Sequence, residues 1–439
     1  MMNYNYINVI KKIPILTNII DIFVRKFNTI EDENMILAQQ MINTRLLFKR
    51  EKKEKVNVVF ICHRPAVWRS MKSIYEELKK DERFKITIVS IPQITPKGEF
   101  DDEGADEYFK CEDSIVGFDN KTKKFLDIRE LRPDYVFFQQ PYNSIYPQQY
   151  RSSIISKYAK ICYLSYFTFL DNLTIQDVSD ECYPFDYFRN ISLFFSQNDK
   201  EKKYLENRLS DFRAYRPKIC LTGYPKYDNL DEYRLNDSDV WNYLKWEGHF
   251  RLLWTPRWTT NENSCNFFEY KDKLLEYCSK HKNIDFIFRP HPQSWIEWEN
   301  TGELKKKAAD EYKNRYEQHV NTSIDTSSDY LNTFYHSDCL ITDTSSIVPE
   351  YFLTGKPIIY CFRENSRFIF DRHETYGEGM YWVKTWEELK KTLSMLENGE
   401  DPIKEKRQKL IEKYFEKNGT AGKKIVDEIV KDAFGRNFL

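Results

Sequence analysis

The sequence has 439 residues, of which 41% are hydrophobic, 16% aromatic and 31% charged, a composition typical of a folded globular protein rather than a disordered or fibrous one. The 67 Lys and Arg residues nearly balance the 68 Asp and Glu residues, so the chain lacks the positive field with which nucleic-acid-binding proteins attract phosphate backbones. We therefore predict no nucleic-acid partner, and two domains of roughly 200 residues each from the length.

The cysteines and the apolar runs predict a cytoplasmic location. Nine cysteines with no CxxC pair, and with no cleavable secretory leader before them, favour neither a disulfide framework nor a structural zinc site. No uninterrupted apolar stretch reaches the ~18 residues that a spanning helix needs. A reduced compartment fits these features best.

The first predicted element is an amphipathic helical extension within residues 1–50. Apolar residues recur at helical spacing in ILTNIIDIFVRKF, with basic residues around them. One interpretation is packing on the protein's own first domain. The other is peripheral contact of residues 10–27 with the anionic inner face of the cell membrane.

Residues 51–215 predict a first Rossmann-like domain. Short β-branched and aromatic runs, beginning with VNVVFIC at 56–62, alternate with longer amphipathic segments such as WRSMKSIYEELKK. This alternation is typical of a parallel sheet with crossover helices. We expect further strands in FKITIVSI, DYVFFQQ, ICYLSY and ISLFFS, and a helix in PQQYRSSIISKYAK.

Residues 216–400 predict a second, similar domain. Its expected strands are RLLWTP, IDFIFRP, VNTSID, DCLITD and KPIIYC. The charged segment 401–439 predicts C-terminal helices that cross back to the first domain. Neither half contains a GxGxxG sequence or a Walker loop, which argues against a dinucleotide enzyme or a P-loop ATPase.

Candidate functional residues follow three strands of the second domain. In open α/β sheets, ligands bind beyond the carboxyl ends of the strands. LLWTPRW, FIFRPHP and CLITDTSS deliver two arginines, one imidazole and a hydroxyl cluster there: Thr255, Arg257, Arg289, His291, Asp343, Thr344, Ser345 and Ser346.

These residue types match a diphosphate ligand. Arginine makes forked contacts to phosphate, and a helix start with Ser or Thr hydroxyls binds anions, although an ordinary N-cap is the alternative for the DTSS segment. Pro290 and Pro292 end the strand and fix the backbone around His291, which predicts an imidazole that stabilises charge or protonates a leaving group. Glu350, about one turn further on, is a candidate for the ribose hydroxyls, or an exposed helix residue.

The first domain offers a second imidazole. His63 follows the first strand in ICHRPAVW, again at a carboxyl end, and is the candidate general base for an incoming hydroxyl. A loop histidine without a chemical role is the alternative.

The ordered segments GYPKYD, TPRW, FRPHP and YLNTFYHSDCLITDTSSIVPEYFLTGKPIIY resemble the CDP-glycerol glycerophosphotransferase family of teichoic-acid and capsule synthesis, most clearly over residues 215–395. The resemblance implies a GT-B-like α/β fold, with two Rossmann-like doubly wound domains facing a cleft and the CDP-linked donor in the C-terminal domain. It also implies that His291 and the 343–346 segment act on the diphosphate. The family's Trp-His-Gly-Thr-Pro motif has no counterpart in ICYLSYFTF, so His63 is the substitute for its base.

The predicted activity is transfer of glycerol phosphate, or a related alditol phosphate such as that of CDP-ribitol, to a hydroxyl of a cell-surface glycan or lipid-linked precursor, with release of CMP. No metal or other cofactor is required by these residues, and Mg²⁺ accompanying the nucleotide stays open. Two other functions stay open as well: a GT-B glycosyltransferase that uses a nucleotide sugar, and a non-catalytic module of a surface-polymer assembly.

Overall fold

The computed structural model describes residues 14–92, 108–168, 183–209, 215–228, 230, 241, 248–327, 330–366, 372–373, 376–415 and 419–435. The chain divides into two compact units, each of which is built on a parallel sheet. Unit 1 comprises Met1–Tyr166, Ser179–Lys226 and Thr420–Leu439, and unit 2 comprises Phe167–Val178 and Tyr227–Gly419. This division differs from the predicted boundary between 215 and 216, and it splits the predicted segment 401–439 between the two units.

Unit 1 contains a seven-stranded parallel sheet in the order β3-β2-β1-β6-β7-β8-β9. Its strand β1 is a near-continuous apolar run, because parallel strands are covered on both faces. The strands of the unit, including the small hairpin β4–β5, are β1 (Val56–Cys62), β2 (Phe84–Ser90), β3 (Ser114–Val116), β4 (Phe118–Asp119), β5 (Lys124–Phe125), β6 (Tyr135–Phe138), β7 (Lys160–Leu164), β8 (Leu193–Ser196) and β9 (Lys218–Leu221).

The helices of unit 1 pack on this sheet and on one another. Within its described residues they are α1 (Pro14–Lys52), α2 (Pro65–Lys79), α3 (Ser152–Ile155), α4 (Phe185–Phe188), α5 (Asp199–Arg208) and the C-terminal α13 (Ala421–Phe434). The helix predicted in 147–160 is much shorter than expected: a 3₁₀ turn at Gln148–Tyr150 precedes the four-residue α3.

Unit 2 contains a six-stranded parallel sheet in the order β12-β11-β10-β13-β14-β15. Its strands are β10 (Phe250–Thr255), β11 (Ile284–Phe288), β12 (Thr322–Ile324), β13 (Cys339–Thr342), β14 (Ile358–Cys361) and β15 (Tyr381–Val383). Its helices, as far as the unit is described, are α6 (Phe267–Lys280), α7 (Ser294–Asn300), α8 (Lys306–Glu317), α9 (Leu331–His336), α10 (Val348–Phe352), α11 (Trp386–Glu397) and α12 (Lys404–Tyr414).

The N-terminal helix α1 is held on unit 1 by a buried carboxylate. Asp134, which is fully buried, accepts hydrogen bonds from Arg45 Nε (2.9 Å), Lys49 Nζ (2.6 Å) and the backbone N of Asn57 (2.8 Å). This part of the helix, which follows the segment considered for membrane contact, therefore packs on its own domain. Of the predicted membrane-contact segment 10–27, residues 10–13 lie outside the described residues, and so do all its side chains except that of Lys26.

No helix in the described ranges is both long enough and apolar enough to cross a membrane.

Candidate active site

The carboxyl edge of the second sheet brings the predicted donor-binding segments side by side. Strand β10 lies between β11 and β13, with Trp254 opposite Phe288 on one side and Thr255 opposite Thr342 on the other. The loops that leave these three strands carry Arg257, the 289–291 segment and the 343–346 segment. Seven of the predicted residues therefore follow three neighbouring strand ends, and the eighth, Thr255, is itself the last residue of β10.

Asp343 ties two of these loops together. Its side chain is buried, and its two carboxylate oxygens accept hydrogen bonds from the backbone N of Arg257 (2.6 Å) and of Asn266 (2.9 Å). Burial raises the pKa of Asp343 to about 7, against the opposing effect of these N–H donors. The carboxylate thus holds the loop after β10 in place. Because both of its oxygens are engaged in this way, residues 344–346 are the members of the 343–346 segment that we expect to contact a diphosphate.

The hydroxyls at this edge differ in accessibility. Thr255 is buried and donates to Thr342 Oγ1 (3.1 Å), so its side chain belongs to the sheet. Thr344 is half-buried and shares a hydrogen bond with the Tyr360 hydroxyl (2.7 Å). Ser345 is half-buried and Ser346 is exposed, two residues before the start of the short helix α10. Residues 344–346 therefore hold the accessible hydroxyls of the segment.

Both predicted arginines are already held by carboxylates. Arg257 donates through Nε and Nη2 to the two carboxylate oxygens of Glu262, at 2.6 and 2.9 Å. Arg289 pairs with Asp325 and donates through Nη2 to the carbonyl oxygen of Ser327 (2.6 Å). Such forked or double contacts fix the plane of a guanidinium, so each arginine has a defined orientation at the sheet edge.

A chain of polar contacts joins Arg289 to Glu350. The Arg289 guanidinium lies 5.7 Å from the ring centre of Tyr330, and the Tyr330 hydroxyl donates to Glu350 Oε2 (2.5 Å). Glu350 is buried, so the alternative of an exposed helix residue is wrong. Asp325 completes the chain, because it also accepts from Thr333 Oγ1 (2.7 Å) and from the backbone N of Ser327 (2.8 Å).

His291 is exposed at the start of the loop that enters α7. Its Nδ1 accepts a hydrogen bond from the backbone N of Gln293 (3.2 Å), and its carbonyl oxygen accepts from the backbone N of Ser294 (2.9 Å). The ring centre lies 6.0 Å from that of Trp258. With Nδ1 as an acceptor, the proton of the neutral ring is on Nε2, so the outer nitrogen is a donor.

His63 lies in the other unit and has a different environment. It is buried after β1, its Nε2 is 2.9 Å from Gln140 Oε1, and its backbone N donates to Gln139 Oε1 (2.8 Å). Burial lowers the pKa of His63 to about 4, and the nearby Arg64 also acts to lower it. The imidazole is therefore neutral at pH 7, but it is a weak base there.

Within the described residues, no group of three or more His, Cys, Asp or Glu side chains has an arrangement that could hold a metal ion.

A family whose description reads CDP-glycerol:poly(glycerophosphate) glycerophosphotransferase matches residues 173–431, more than half of the chain. The chain belongs to this family. The match includes all the predicted donor-binding residues and His291, and it does not include His63. The family resemblance predicted from the motifs is confirmed.

A curated relative is the minor teichoic acid biosynthesis protein GgaB of Bacillus subtilis (strain 168), which is 25% identical over 203 residues. The match covers 41% of this chain and 19% of the relative, so the chain spans about a fifth of that protein's length.

Solved structures share the fold. A UDP-N-acetylglucosamine 2-epimerase superposes with a TM-score of 0.57 at 13% identity, covering 86% of this chain and 96% of that one. The UDP-GlcNAc 2-epimerase of Neisseria meningitidis gives 0.54 at 15% identity, covering 86% and 100%. A variant of the wall teichoic acid polymerase TagF gives 0.51 at 15% identity, covering 95% and 97%. The predicted GT-B-like α/β fold is confirmed.

The sequence motifs located the polar residues of this sheet edge only in part. Four of them were missed: Asn266, Glu262, Asp325 and Tyr330. Asp325 could have been found, because it directly follows strand β12 and the strand-end rule applies to it as well. The others depend on loop conformation, for which no local pattern exists.

Proposed function

We propose that this protein transfers glycerol phosphate, or a related alditol phosphate, from a CDP-linked donor to a hydroxyl of a cell-surface glycan or lipid-linked precursor. The acceptor oxygen attacks the phosphorus that carries the alditol, a new P–O bond forms, and the bond to the bridging oxygen of the diphosphate breaks. CMP leaves with that oxygen, and the acceptor hydroxyl loses its proton. Family membership over residues 173–431 is the observation that carries this proposal.

The sheet edge supports donor binding by Arg257, Arg289 and the 344–346 hydroxyls. Each arginine is oriented by its carboxylate, Glu262 or Asp325, before the ligand arrives. A preoriented guanidinium costs little ordering entropy when it binds a phosphate oxygen. Thr255 and Asp343 support the loops rather than the ligand, and Glu350, with Tyr330, is the proposed acceptor of the ribose hydroxyls.

His291 is the proposed catalytic residue at the leaving group. An imidazole whose Nε2 carries the proton can donate to the bridging oxygen as CMP departs, which stabilises the charge that develops there. His63 remains the proposed base for the acceptor, although its low pKa makes it a weak one. We propose no resident metal, and Mg²⁺ that arrives with the nucleotide is compatible with the scheme.

A donor panel tests the proposal. Nucleotide release is measured with CDP-glycerol, CDP-ribitol and common nucleotide sugars, in the presence of membrane-derived glycan acceptors. We expect turnover with a CDP-alditol, and loss of at least ~100-fold in His291→Ala, the usual contribution of an acid–base residue. The matched control is His319→Ala, on the segment that enters β12 from the opposite end of the sheet. Turnover with nucleotide sugars and none with CDP-alditols would contradict the proposed donor and identify the protein as a sugar transferase.

The non-catalytic alternative makes a different prediction. If the protein is a silent assembly module, cells that carry His291→Ala should synthesise the polymer as well as wild-type cells do. Deletion of the protein should still abolish polymer synthesis.

Location is proposed separately: the protein acts in the cytoplasm, with peripheral contact of residues 10–27 at the inner membrane face. Removal of residues 1–30 should move the protein from the membrane fraction to the soluble fraction. An unchanged distribution would remove this part of the proposal.

A further inference from the structure

The strand order of the first sheet reverses between β1 and β6. From β1 the chain runs to β2 and β3 on one side of the sheet, and from β6 it runs to β7, β8 and β9 on the other side. Doubly wound sheets bind ligands beyond the carboxyl ends of the strands at such a reversal. The residues that directly follow the two strands there are His63 and Arg64 after β1, and Gln139 and Gln140 after β6.

Gln139 holds the backbone of the loop after β1. Its Oε1 accepts hydrogen bonds from the backbone N of His63 (2.8 Å) and of Arg64 (2.9 Å), and its Nε2 donates to the carbonyl oxygen of Arg64 (2.9 Å). These three contacts fix the loop on the end of β6. The backbone that carries the His63 ring therefore has a defined position.

Gln140 holds the ring of the same histidine. Its Oε1 lies 2.9 Å from His63 Nε2, and an amide oxygen can only accept, so Nε2 of the neutral ring carries the proton. The Tyr146 hydroxyl fixes the backbone of Gln140, because it donates to the carbonyl oxygen (3.1 Å) and accepts from the backbone N (3.3 Å). The contact with Gln140 thus leaves Nδ1 as the unprotonated nitrogen of His63.

Nδ1 of His63 is buried and has no hydrogen-bond partner among the residues that the structure describes. His281 differs in this respect, because its Nδ1 donates to the carbonyl oxygen of Tyr277 (2.7 Å) and completes a structural contact within the fold. A buried acceptor without a donor destabilises a protein, and a hydroxyl bound beside it would offset that cost. Nδ1 of His63 is therefore the ring atom to which a ligand hydroxyl can add a contact.

We propose that Gln140 is a positioning residue for the acceptor: it fixes the tautomer in which Nδ1 of His63 takes the proton of the incoming hydroxyl. This inference rests on the proposed function, in which His63 is the base. As the acceptor oxygen attacks phosphorus, its O–H bond breaks and an Nδ1–H bond forms. The imidazolium later gives this proton to water, and Nε2–H stays bonded to Gln140 throughout.

The same arrangement selects the chemical class of the group that contacts the ring. Gln140 is uncharged, so it orients the imidazole without stabilising the imidazolium as a carboxylate would. A neutral ring gives no charge attraction to an anion, and its unprotonated Nδ1 needs a hydrogen-bond donor. The group that contacts Nδ1 is therefore an uncharged hydroxyl of a sugar or polyol, not a phosphate or carboxylate oxygen.

Nitrogen-15 NMR of the histidine side chains tests the tautomer in the whole protein without any substrate. At pH 7 we expect His63, assigned by comparison with His63→Gln, to have a protonated Nε2 and an unprotonated Nδ1. His281 is the internal reference, because its Nδ1 carries the proton that it donates to Tyr277. A proton on Nδ1 of His63 would overturn the inference, whether or not the protein transfers an alditol phosphate.

Kinetics test the positioning role. Gln140→Leu should lower kcat by at least ~10-fold with little change in KM for CDP-glycerol, because the base loses its orientation while donor binding is retained. Gln140→Glu keeps an oxygen acceptor and should restore kcat to within about 3-fold of wild type at pH 8. It should also add an acidic limb between about pH 5 and 7, since a carboxylate beside the ring raises the pKa of His63. Gln149→Glu, exposed in the 3₁₀ turn Gln148–Tyr150, is the matched control and should behave as wild type.

The outcomes separate this inference from the proposed function. An unchanged kcat in Gln140→Leu, or equal losses in Gln140→Leu and Gln140→Glu, would overturn the positioning role while alditol transfer by the wild type stands. A wild type that transfers no alditol phosphate from any donor would overturn the proposed function and, with it, the role of His63 as base.

Discussion

At the scale of single residues, carboxylates decide how the basic groups of the candidate site are presented. Arg289 is oriented by Asp325, which is itself held by Thr333 Oγ1 and by the backbone of Ser327. A guanidinium without such a partner would sample many rotamers, and ordering it would reduce the affinity for a phosphate ligand.

Asp325→Asn should therefore act through Arg289 on donor binding. We expect KM for CDP-glycerol to rise by about 5- to 20-fold with a smaller change in kcat, because the guanidinium is retained but less well oriented. Steady-state kinetics measure this, with Asp310→Asn on the exposed face of α8 as the control. A fall in kcat at unchanged KM would contradict a positioning role in binding.

The pH dependence of the reaction tests His63. Its pKa of about 4 means that the ring is already unprotonated at pH 5, so kcat/KM should show no acidic limb from this group between about pH 5 and 7. A limb in that interval that is present in the wild type and absent from His63→Gln would show that the ring titrates near neutrality, contrary to its buried environment.

At the scale of the elements, the C-terminal helix α13 depends on a glycine for its close approach to α2. A Cβ at Gly422 would lie 2.6 Å from Ser73 Oγ and 2.8 Å from the Ser73 carbonyl carbon, distances that real Cβ atoms essentially never show. The backbone of α2 cannot withdraw without disturbing the buried residues of that helix.

Gly422→Ala should therefore destabilise the protein, although alanine is favoured in helices by about 0.8–1 kcal/mol. We expect a net loss of roughly 1–3 kcal/mol in the free energy of unfolding from the overpacking. Urea denaturation measures this loss, and Lys423→Ala at the neighbouring exposed position should change stability by no more than ~0.5 kcal/mol. A stabilised Gly422→Ala variant would show that the two helices can move apart.

At the scale of the whole molecule, buried acids make stability depend on pH. Glu201 in unit 1 is fully buried and accepts hydrogen bonds from Ser165 Oγ (2.6 Å), Tyr183 Oη (2.9 Å) and the backbone N of Gln197 (2.7 Å). Burial outweighs these donors and raises the pKa of Glu201 to about 7.

Because its folded pKa lies above the unfolded value, Glu201 favours the folded state at low pH, and this contribution is lost as pH rises from about 4.5 to about 7. We expect the wild type to lose on the order of 1–3 kcal/mol more than Glu201→Gln between pH 5 and 8. Urea denaturation of the wild type and of Glu201→Gln at pH 5 and pH 8 measures this difference in the free energy of unfolding. Glu206→Gln, at an exposed position, is the control. Equal losses would be incompatible with the raised pKa.

The sequence predicted much of this architecture, because buried parallel strands are long apolar runs. The expected strand 56–62 has the observed bounds, and the other expected strands of both sheets exist. Strands β3, β9 and β15 of the two sheets were not predicted, since SIV, KICL and YWV are too short to show a period. The helix expected in 147–160 was overestimated, because a 3₁₀ turn at Gln148–Tyr150 takes up its first part and the α-helix covers only Ser152–Ile155.

For the candidate site, the sequence predicted which residues lie at the sheet edge but not the contacts that they make there. The strand-end rule placed Arg257, Arg289 and the 343–346 segment at one edge of the sheet, and the sheet order agrees. The pairing of each arginine with an acid, and the buried backbone contacts of Asp343, depend on how loops fold in space. Local sequence patterns do not encode these contacts.

A crystal structure of the protein with bound CDP-glycerol would locate the donor and its contacts in one measurement. We predict that the diphosphate lies within hydrogen-bonding distance of Arg257, Arg289 and the 344–346 hydroxyls, with Nε2 of His291 facing the bridging oxygen. A nucleotide bound elsewhere, or a diphosphate that His291 cannot reach, would contradict the proposed donor site.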